Sequence, residues 1–415
     1  MQQPGMIRLG TLFSGIGAIE QALLRMGENH QIVFACDNGE LDLKLLPAHE
    51  QEKLDSLKKI ASYRLSVAEK RKLQDLQKQE QRIIQAYYDQ ITNLDTIERK
   101  NTFVNELYSA HSKGHNFVKD TYLANYHINE RDFHLDVRFL DGSDYAGLVD
   151  LMVGGSPCQS FSSNGKRGGI VDTRGTLFHD YARIISQVQP RCFIYENVRG
   201  MLVHDNGYTW DVVKKSFKDL DYSIYINHDE QGNESPLLNA CDYGIPQQRE
   251  RIFLIGIRND IRLKEPFEFP QPEPLLTTNK DYLDEHVSAK YYLGKKGFEF
   301  VTTHPTRAQV GRTIQKCQKA NQQFNWNGDF IFEPLDPIKH TNEILQRAFV
   351  GSWNGQEGVI RMYTPRECLR LMGFPDSFVM PHNDTIMWRQ SGNSIVVDVL
   401  IALVNELIKT GVFDV

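Results

Sequence analysis

The pattern of apolar and polar positions at the start of the chain is typical of an α/β sheet. Residues 7–13 (IRLGTLF) are apolar and β-prone, and residues 32–36 (IVFAC) repeat that character. Between them, apolar residues recur at three- and four-residue steps over 18–26, which predicts a helix that ends at Gly27. Strand, tight turn, helix and strand in this order predict the first half of a parallel sheet.

The pattern changes over residues 48–112, which are rich in Lys, Glu, Gln and Leu and contain neither Gly nor Pro. Apolar residues at three- and four-residue steps predict a helical hairpin or three helices, and Ser66 with Glu69 predicts a capping box. We interpret residues 46–112 as a helical insertion. It is either a solvated surface element or an arm that contacts a partner or the DNA backbone.

The α/β pattern then resumes, with strands predicted near 148–153, 192–195 and 251–256 and a helix over 175–188. After Glu265 the chain becomes Pro-punctuated, and lysines and arginines outnumber acids from Lys290 to Lys319. An amphipathic helix is predicted over 395–408. We therefore predict a catalytic domain over 1–264, a smaller domain with a basic face over 265–385, and a C-terminal segment, 386–415, that completes the first domain.

Composition narrows the class of protein. The 415 residues are 40% hydrophobic and 24% charged, as expected for a soluble globular protein. No apolar run approaches the ~18 residues of a membrane span, and no secretory signal is visible, so a cytoplasmic protein that does not bind membranes is predicted. The net charge of −6 argues mildly against a protein that coats nucleic acid. None of the six cysteines forms a C-x-x-C pair, so no metal site is predicted.

The first candidate site is the turn Phe13-Ser14-Gly15-Ile16-Gly17 at the end of the first strand. Two glycines allow close approach of a ligand to the backbone, and Asp37 ends the next strand, where a carboxylate typically binds ribose hydroxyls. The later glycines of a phosphate-binding loop are absent. This favours S-adenosylmethionine over a dinucleotide, although a purely structural turn fits the same residues. Asp136 ends a third candidate strand and is either an adenine-binding acid or a surface turn residue.

The second candidate site is the loop Gly154-Gly155-Ser156-Pro157-Cys158, which follows an apolar strand directly. Ligands of open α/β sheets lie beyond the carboxyl ends of the strands, so Cys158 is placed for thiolate chemistry, with an inert thiol as the alternative. The next strand is predicted to end in Glu196-Asn197-Val198, and Glu196 suits general acid work or an interaction with a helix dipole.

A third feature is the run Gln247-Gln248-Arg249-Glu250-Arg251, which leads into a strand. Alternation predicts that Arg249 and Arg251 share one face and Glu250 occupies the other. Two guanidinium groups on one face suit recognition of an anion or of base oxygens, and surface salt bridges are the alternative.

Taken together, these segments resemble the bacterial DNA cytosine-5 methyltransferases, the modification enzymes of restriction systems. The resemblance rests on motifs that occur in the family's order: Phe13 to Gly17, Gly155 to Gln159, Asp172 to Phe178, Glu196-Asn197-Val198, Gln247 to Arg251, Thr364 to Cys368, Met372 to Pro375, and Gly392-Asn393-Ser394. It implies a doubly wound, mostly parallel α/β sheet of the S-adenosylmethionine-dependent methyltransferase type. The helical insertion and a smaller target-recognition domain are added to that sheet.

The resemblance also implies a reaction. The target cytosine is flipped out of the duplex, at a cost of a few kcal/mol of stacking. Cys158 attacks C6 of the ring, Glu196 hydrogen-bonds N3 and the amino group, and Arg249 and Arg251 orient the base and the catalytic loop. S-adenosylmethionine donates the methyl group to C5 and leaves as S-adenosyl-L-homocysteine.

By the same resemblance, Phe13 stacks on the adenine of the cofactor, Asp37 binds its ribose and Asp136 meets its amino group. The remaining residues of the predicted cofactor site are Gly15, Gly17, Pro157, Leu177 and Asn393. The residues after Asp37 depart from the usual pattern of the family, and Glu40 is the candidate for the second ribose-binding acid.

Double-stranded DNA is the implied partner, with a monomeric enzyme functionally paired with a restriction endonuclease. The predicted DNA-binding residues are Gln159, Ser162, Asn164, Arg174, Arg307 and Arg312, and Asn325 is a further candidate on composition. Three other readings stay open at this point: an RNA (tRNA) cytosine-5 methyltransferase with the same core, a catalytically silent DNA-binding protein, and a small-molecule methyltransferase.

Overall fold

A computed structural model describes residues 5–60, 64–156 and 177–414. Six predicted site residues lie outside the described residues, namely Pro157, Cys158, Gln159, Ser162, Asn164 and Arg174. Their assignments therefore stay predictions from the sequence.

The described part of the chain is organised on an eight-stranded sheet in the order β3-β2-β1-β4-β5-β9-β6, with β7 paired to β9. Its strands are β1 (Ile7–Leu12), β2 (His30–Cys36), β3 (Phe133–His134), β4 (Leu151–Gly154), β5 (Cys192–Val198), β6 (Tyr222–Tyr225), β7 (Leu237–Asn239) and β9 (Glu250–Arg258), while β8 (Gln247–Gln248) lies outside it. The five strands from β3 to β5 pair in parallel, and β9 runs antiparallel to β5, β6 and β7. The predicted mostly parallel α/β sheet is confirmed.

One predicted strand end was wrong. The strand before Asp136 is only two residues long and ends at His134, so Asp136 lies in the connection after β3. β5 ends at Val198, as predicted, and its last three residues, Glu196, Asn197 and Val198, pair with β9.

Helices cover both faces of this sheet and enclose two apolar cores. The α-helices of the described residues are α1 (Ala18–Met26), α2 (Ala48–Lys58), α3 (Val67–Thr92), α4 (Ile97–His111), α5 (Phe117–Asn125), α6 (Leu177–Val188), α7 (Tyr208–Lys218), α8 (Lys295–Thr303), α9 (Asn342–Arg347), α10 (Pro365–Arg370), α11 (Asp384–Asn393) and α12 (Val397–Lys409). The apolar sides of α1, α5 and α12 bury one face of the sheet. Those of α6 and α7 bury the other.

The first helix shows that local sequence can determine where a helix begins and ends. α1 spans the predicted residues and ends at Gly27, which adopts the left-handed conformation with φ of 71°. Its apolar stripe packs against α12, so the two ends of the chain meet on one face of the sheet. The stretch Asp384–Lys409, which contains α11 and α12, could span a membrane by length and composition, but just over half of its apolar window is buried in the core.

Residues 46–112 contain the three helices α2, α3 and α4. The predicted capping box is confirmed: the Ser66 hydroxyl accepts from the Glu69 N–H and the Glu69 carboxylate accepts from the Ser66 N–H. α2 and α3 pack through a small leucine-rich cluster, and α4 packs on the residues that follow β3 through a second cluster around Leu43, Ile91 and Phe139.

The region after Glu265 contains a smaller sheet in the order β10-β12-β14-β13. Its strands are β10 (Gln309–Val310), β12 (Asp329–Pro334), β13 (Gly351–Trp353) and β14 (Gln356–Arg361), while β11 (Gln315–Lys316) pairs with β8. Arg361, with no exposed surface, holds this region together by donating to the carboxylates of Glu333 at 2.7 Å and Glu367 at 2.8 and 2.9 Å. The boundaries of the predicted domains stay predictions.

Candidate active site

The turn after β1 and the end of β2 form one candidate pocket. Phe13 and Gly15 both have positive φ, 54° and 53°, which folds the backbone back toward β2. The Gly15 N–H donates to the Asp37 carboxylate at 2.9 Å, and the Gly39 N–H donates to its other oxygen at 2.8 Å. Burial raises the pKa of Asp37 although these two N–H donors oppose it. Each carboxylate oxygen keeps one further acceptor position, which is what a ribose diol requires.

Gly17 and Glu20 form the base of this turn. A Cβ on Gly17, whose φ is 82°, would meet the Tyr126 ring at 2.1 Å, so only glycine fits. Glu20 is fully buried behind the turn and accepts hydrogen bonds from the hydroxyls of Tyr122 and Thr11. Burial raises the pKa of Glu20 to about 7.

Asp136 lies close to this pocket but is not a surface turn residue. It is 4% exposed, and its carboxylate accepts from the Tyr108 hydroxyl at 2.7 Å and from the Arg138 guanidinium at 2.6 Å. The sequence analysis missed Tyr108, which comes from α4, and Arg138. The Asp37 N–H donates to the His134 carbonyl at 3.1 Å, which ties the end of β2 to the end of β3.

Two further predicted cofactor residues lie at helix ends. Asn393, at the end of α11, is exposed and donates to the Glu40 carboxylate at 2.7 Å, so the candidate second ribose acid is held beside it. Leu177 begins α6 and packs against the core that contains Phe13.

Glu196 and Arg251 form the second candidate site, on the paired strands β5 and β9. Arg251 Nε lies 3.1 Å from Glu196 Oε1, and the two side chains are only 16% and 14% exposed. Burial raises the pKa of Glu196, and the charges of Arg251 and Arg249 oppose the rise. A carboxyl group with a raised pKa is more readily protonated near neutrality, as proton donation to a ring nitrogen requires.

Arg249 lies between β8 and β9 and is 3% exposed. Its guanidinium donates to the carbonyls of Gly392 at 3.1 Å, Ser394 at 2.7 Å and Gln318 at 2.9 Å. Burial and the neighbouring Arg251 charge lower the pKa of Arg249 to about 10. Arg249 is therefore hydrogen-bonded to the backbone on both sides of Asn393, and it connects the candidate cofactor pocket with the Glu196–Arg251 site.

The last described residues before position 157 lie against Glu196. A Cβ on Gly155 would come within 2.2 Å of the Glu196 carbonyl oxygen, so glycine permits this approach. The Asn197 side chain donates to the Ser156 carbonyl at 2.8 Å, and the Ser156 hydroxyl lies 3.0 Å from the Tyr195 hydroxyl. The loop that leads to Cys158 therefore starts beside the Glu196–Arg251 pair.

Cys317 is a site residue that the sequence analysis did not single out. Its Sγ lies 3.5 Å from Arg249 Nη1 and 3.8 Å from two nitrogens of Arg251. Although burial opposes ionisation, the two guanidinium charges outweigh it and lower the pKa of Cys317. No local sequence pattern predicts this contact, because Cys317 is more than 60 residues away from both arginines in the chain.

The predicted DNA-binding residues of the second region have local partners. Arg307 donates to the Asn325 carbonyl at 3.3 Å and lies over the Phe300 ring. Arg312 donates to the Ile314 carbonyl at 3.0 Å. All three predicted residues, Asn325 included, lie on the segment between α8 and β12.

Comparison with known proteins identifies the class that this fold and these sites define. Residues 100–409 match the C-5 cytosine-specific DNA methylase family, and the chain belongs to that family. It is 35% identical over 316 residues to the Type II methyltransferase M.SsoII of Shigella sonnei, covering 74% of this chain and 75% of that protein. It is 36% identical over 255 residues to M.HhaI of Haemophilus parahaemolyticus, covering 60% of this chain and 73% of that protein. The predicted enzyme class, a DNA cytosine-C5 methyltransferase, is confirmed.

Solved structures agree on the fold. The Dnmt2 methyltransferase of S. pombe superposes with a TM-score of 0.58 at 18% sequence identity, covering 97% of this chain and 98% of that one. The Spodoptera frugiperda DNMT2 variant gives the same TM-score at 16% identity, covering 97% of this chain and 99% of that one. At such low identity the likeness concerns the fold alone.

Proposed function

We propose that the chain methylates C5 of a cytosine flipped out of double-stranded DNA, through a covalent bond between the Cys158 sulfur and C6 of the ring. The observation that carries this proposal is the arrangement around Glu196. The carboxyl group is buried, paired with Arg251, and in contact with Gly155 at the start of the loop that contains Cys158. Consecutive Cα atoms are about 3.8 Å apart, so the Cα of Cys158 cannot be more than about 8 Å from the Cα of Ser156.

The chemical roles follow from the groups present. The Cys158 thiolate forms a bond to C6, and electron density moves into the ring toward C5. Glu196 holds N3 and the exocyclic amino group and supplies a proton at N3, which stabilises the negative charge of the adduct. Once C5 carries the methyl group, loss of the C5 proton and departure of the thiolate restore the aromatic ring.

The residues of the first pocket fit S-adenosylmethionine, the cofactor that the family implies. Asp37 would hold the ribose hydroxyls, and Phe13 would lie on the adenine ring. No neighbouring atom lies within 4 Å of a Cβ built on Gly15, so the cofactor could approach the backbone closely at this turn. Asn393 and Glu40 would close the pocket from the C-terminal side. When bound, the cofactor supplies an electrophilic methyl group.

A trapping experiment tests the nucleophile. Duplex DNA with 5-fluorocytosine at the target lacks the C5 proton whose loss releases the enzyme, so the wild-type protein should remain covalently attached. Cys158→Ser should not trap the DNA, and a trapped Cys158→Ser complex would disprove the assignment. Parallel assays of methyl transfer to duplex DNA and to tRNA identify the polymer that is the substrate. We expect methylation of the DNA and not of the tRNA, and methylation of tRNA alone would refute a DNA substrate.

A role in restriction is part of the proposal. We infer that the enzyme acts as a monomer and protects the DNA of its cell against a partner endonuclease. Bisulfite sequencing of DNA from cells that express the protein should show methylation at one short sequence. Scattered methylation without a consensus would contradict a sequence-specific modification enzyme.

A further inference from the structure

We propose that Cys317, which belongs to the region that carries the smaller sheet, is a positioning residue for methyl transfer. Its sulfur holds the guanidinium groups of Arg249 and Arg251 together and keeps Arg251 against Glu196. This inference deepens the proposed function and rests on it, because it assigns a purpose to a contact of the Glu196–Arg251 site. Cys317 is a positioning residue and not a catalytic one, since it acts through the two arginines.

The contacts of Arg251 show how the sulfur restrains it. Cys317 Sγ lies 3.8 Å from both terminal nitrogens of the Arg251 guanidinium, and Nε of the same group lies 3.1 Å from Glu196 Oε1. Nη1 also donates to the carbonyl of the preceding residue, Glu250, at 2.8 Å. A guanidinium is planar and its donors are fixed in one fork, so partners on Nε and on the terminal nitrogens together set its orientation.

The charges of these side chains favour an ionised sulfur. Arg249 is 3% exposed and the Arg251 side chain is 16% exposed, so the two like charges are poorly screened by water. Burial and the charge of Arg251 lower the pKa of Arg249, and the nearby Cys317 and Glu196 oppose this change. Although burial raises the pKa of the Cys317 thiol, the two guanidinium charges outweigh it and lower that pKa. A thiolate here offsets the repulsion between the arginines.

The backbone around Cys317 is fixed to the segment that precedes both arginines. Immediately before Cys317, β11 pairs in parallel with β8. Immediately after it, the Gln318 N–H donates to the Gln247 side chain at 2.9 Å, and the Gln318 side chain donates to the Ser391 hydroxyl at 2.7 Å. The position of the sulfur is therefore set by contacts on both sides of Cys317 in the chain.

Substitutions of Cys317 test the inference in methyl-transfer assays with S-adenosylmethionine and duplex DNA. Cys317→Ala should lower kcat about tenfold, the effect of losing one charge-assisted hydrogen bond, while the KM for S-adenosylmethionine stays that of the wild type. Cys317→Asp returns a negative charge beside the arginines and should restore most of kcat. Cys241→Ala is the matched control, because Cys241 is another partly buried thiol, and it should leave kcat unchanged. An unchanged kcat in Cys317→Ala, or an equal loss in Cys317→Asp, would overturn the inference.

A labelling experiment measures the contact itself, without methyl transfer. The rate at which iodoacetamide modifies Cys317, followed by peptide mass spectrometry over a range of pH, reports the fraction of thiolate. Arg251→Gln removes one of the two guanidinium charges in contact with the sulfur, so the rate should rise at higher pH than in the wild type. An unchanged pH dependence would overturn the inference. A wild-type protein that methylates no DNA would instead refute the proposed function, whatever the labelling shows.

Discussion

Replacing Glu20 by Gln should change how the stability of the protein depends on pH. Glu20 has no exposed surface, and one of its oxygens, Oε2, has no hydrogen-bond partner among the described residues. The other accepts from Tyr122 and Thr11. Because burial disfavours the carboxylate, the pKa of Glu20 rises from 4.5 to about 7 on folding.

The sign and size of the effect follow from linkage. The folded protein binds the Glu20 proton more tightly than the unfolded chain, so this contribution to stability is complete below the unfolded pKa and is lost as the pH rises through about 7. Between about pH 5.5 and about pH 8, the wild type should lose about 2 kcal/mol of free energy of unfolding through this group. Glutamine has no charge to bury and removes that loss.

Urea unfolding followed by tryptophan fluorescence at several pH values measures the difference between the two proteins. The constant cost of leaving one glutamine N–H unpaired, about 1–3 kcal/mol, cancels when only the change with pH is compared. Glu52→Gln is the control, since Glu52 is an exposed residue of α2. Parallel stability curves for the wild type and Glu20→Gln would refute the reasoning and show that Glu20 stays ionised in the fold.

Two further substitutions and one labelling experiment test separate parts of the structure. Arg251→Gln removes the charge that opposes the effect of burial on Glu196, so the pKa of Glu196 should rise further and the pH profile of kcat/KM should move to higher pH; a profile that moves to lower pH would contradict this. Iodoacetamide near neutral pH should label Cys317 faster than Cys241, another partly buried thiol, because two arginines lower the pKa of Cys317 whereas burial raises the pKa of Cys241. Peptide mass spectrometry gives both rates, and the reverse order would be inconsistent with the arginine contacts. Arg361→Met leaves the buried Glu367 carboxylate without its guanidinium partner and leaves Glu333 with Lys339 as its cation. The substitution should reduce the free energy of unfolding by roughly 3–5 kcal/mol in urea titrations, and a loss below about 1 kcal/mol would exclude a structural role for Arg361.

The sequence was informative wherever short-range rules decide the outcome. The bounds of α1, its end at Gly27 and the capping box at Ser66 were predictable because each depends on residues within one or two helical turns. The order of motifs was sufficient to indicate the family, which the comparisons confirm. The strand end at Asp136 was predicted wrongly, because strand length depends on the pairing partner, which local pattern does not reveal.

The composition of the sites came from the sequence, but their geometry came from the fold. The motif order placed Glu196, Arg249 and Arg251 in one site, since strand ends of one sheet meet at one edge. Only the tertiary structure shows that Arg249 is hydrogen-bonded to the backbone around Asn393 and that Cys317 contacts both arginines. Likewise, only the fold brought Tyr108 to Asp136. These contacts join residues 28 to 145 positions apart, and the physical reason they escape sequence analysis is that packing of whole helices and strands, rather than local propensity, sets such distances.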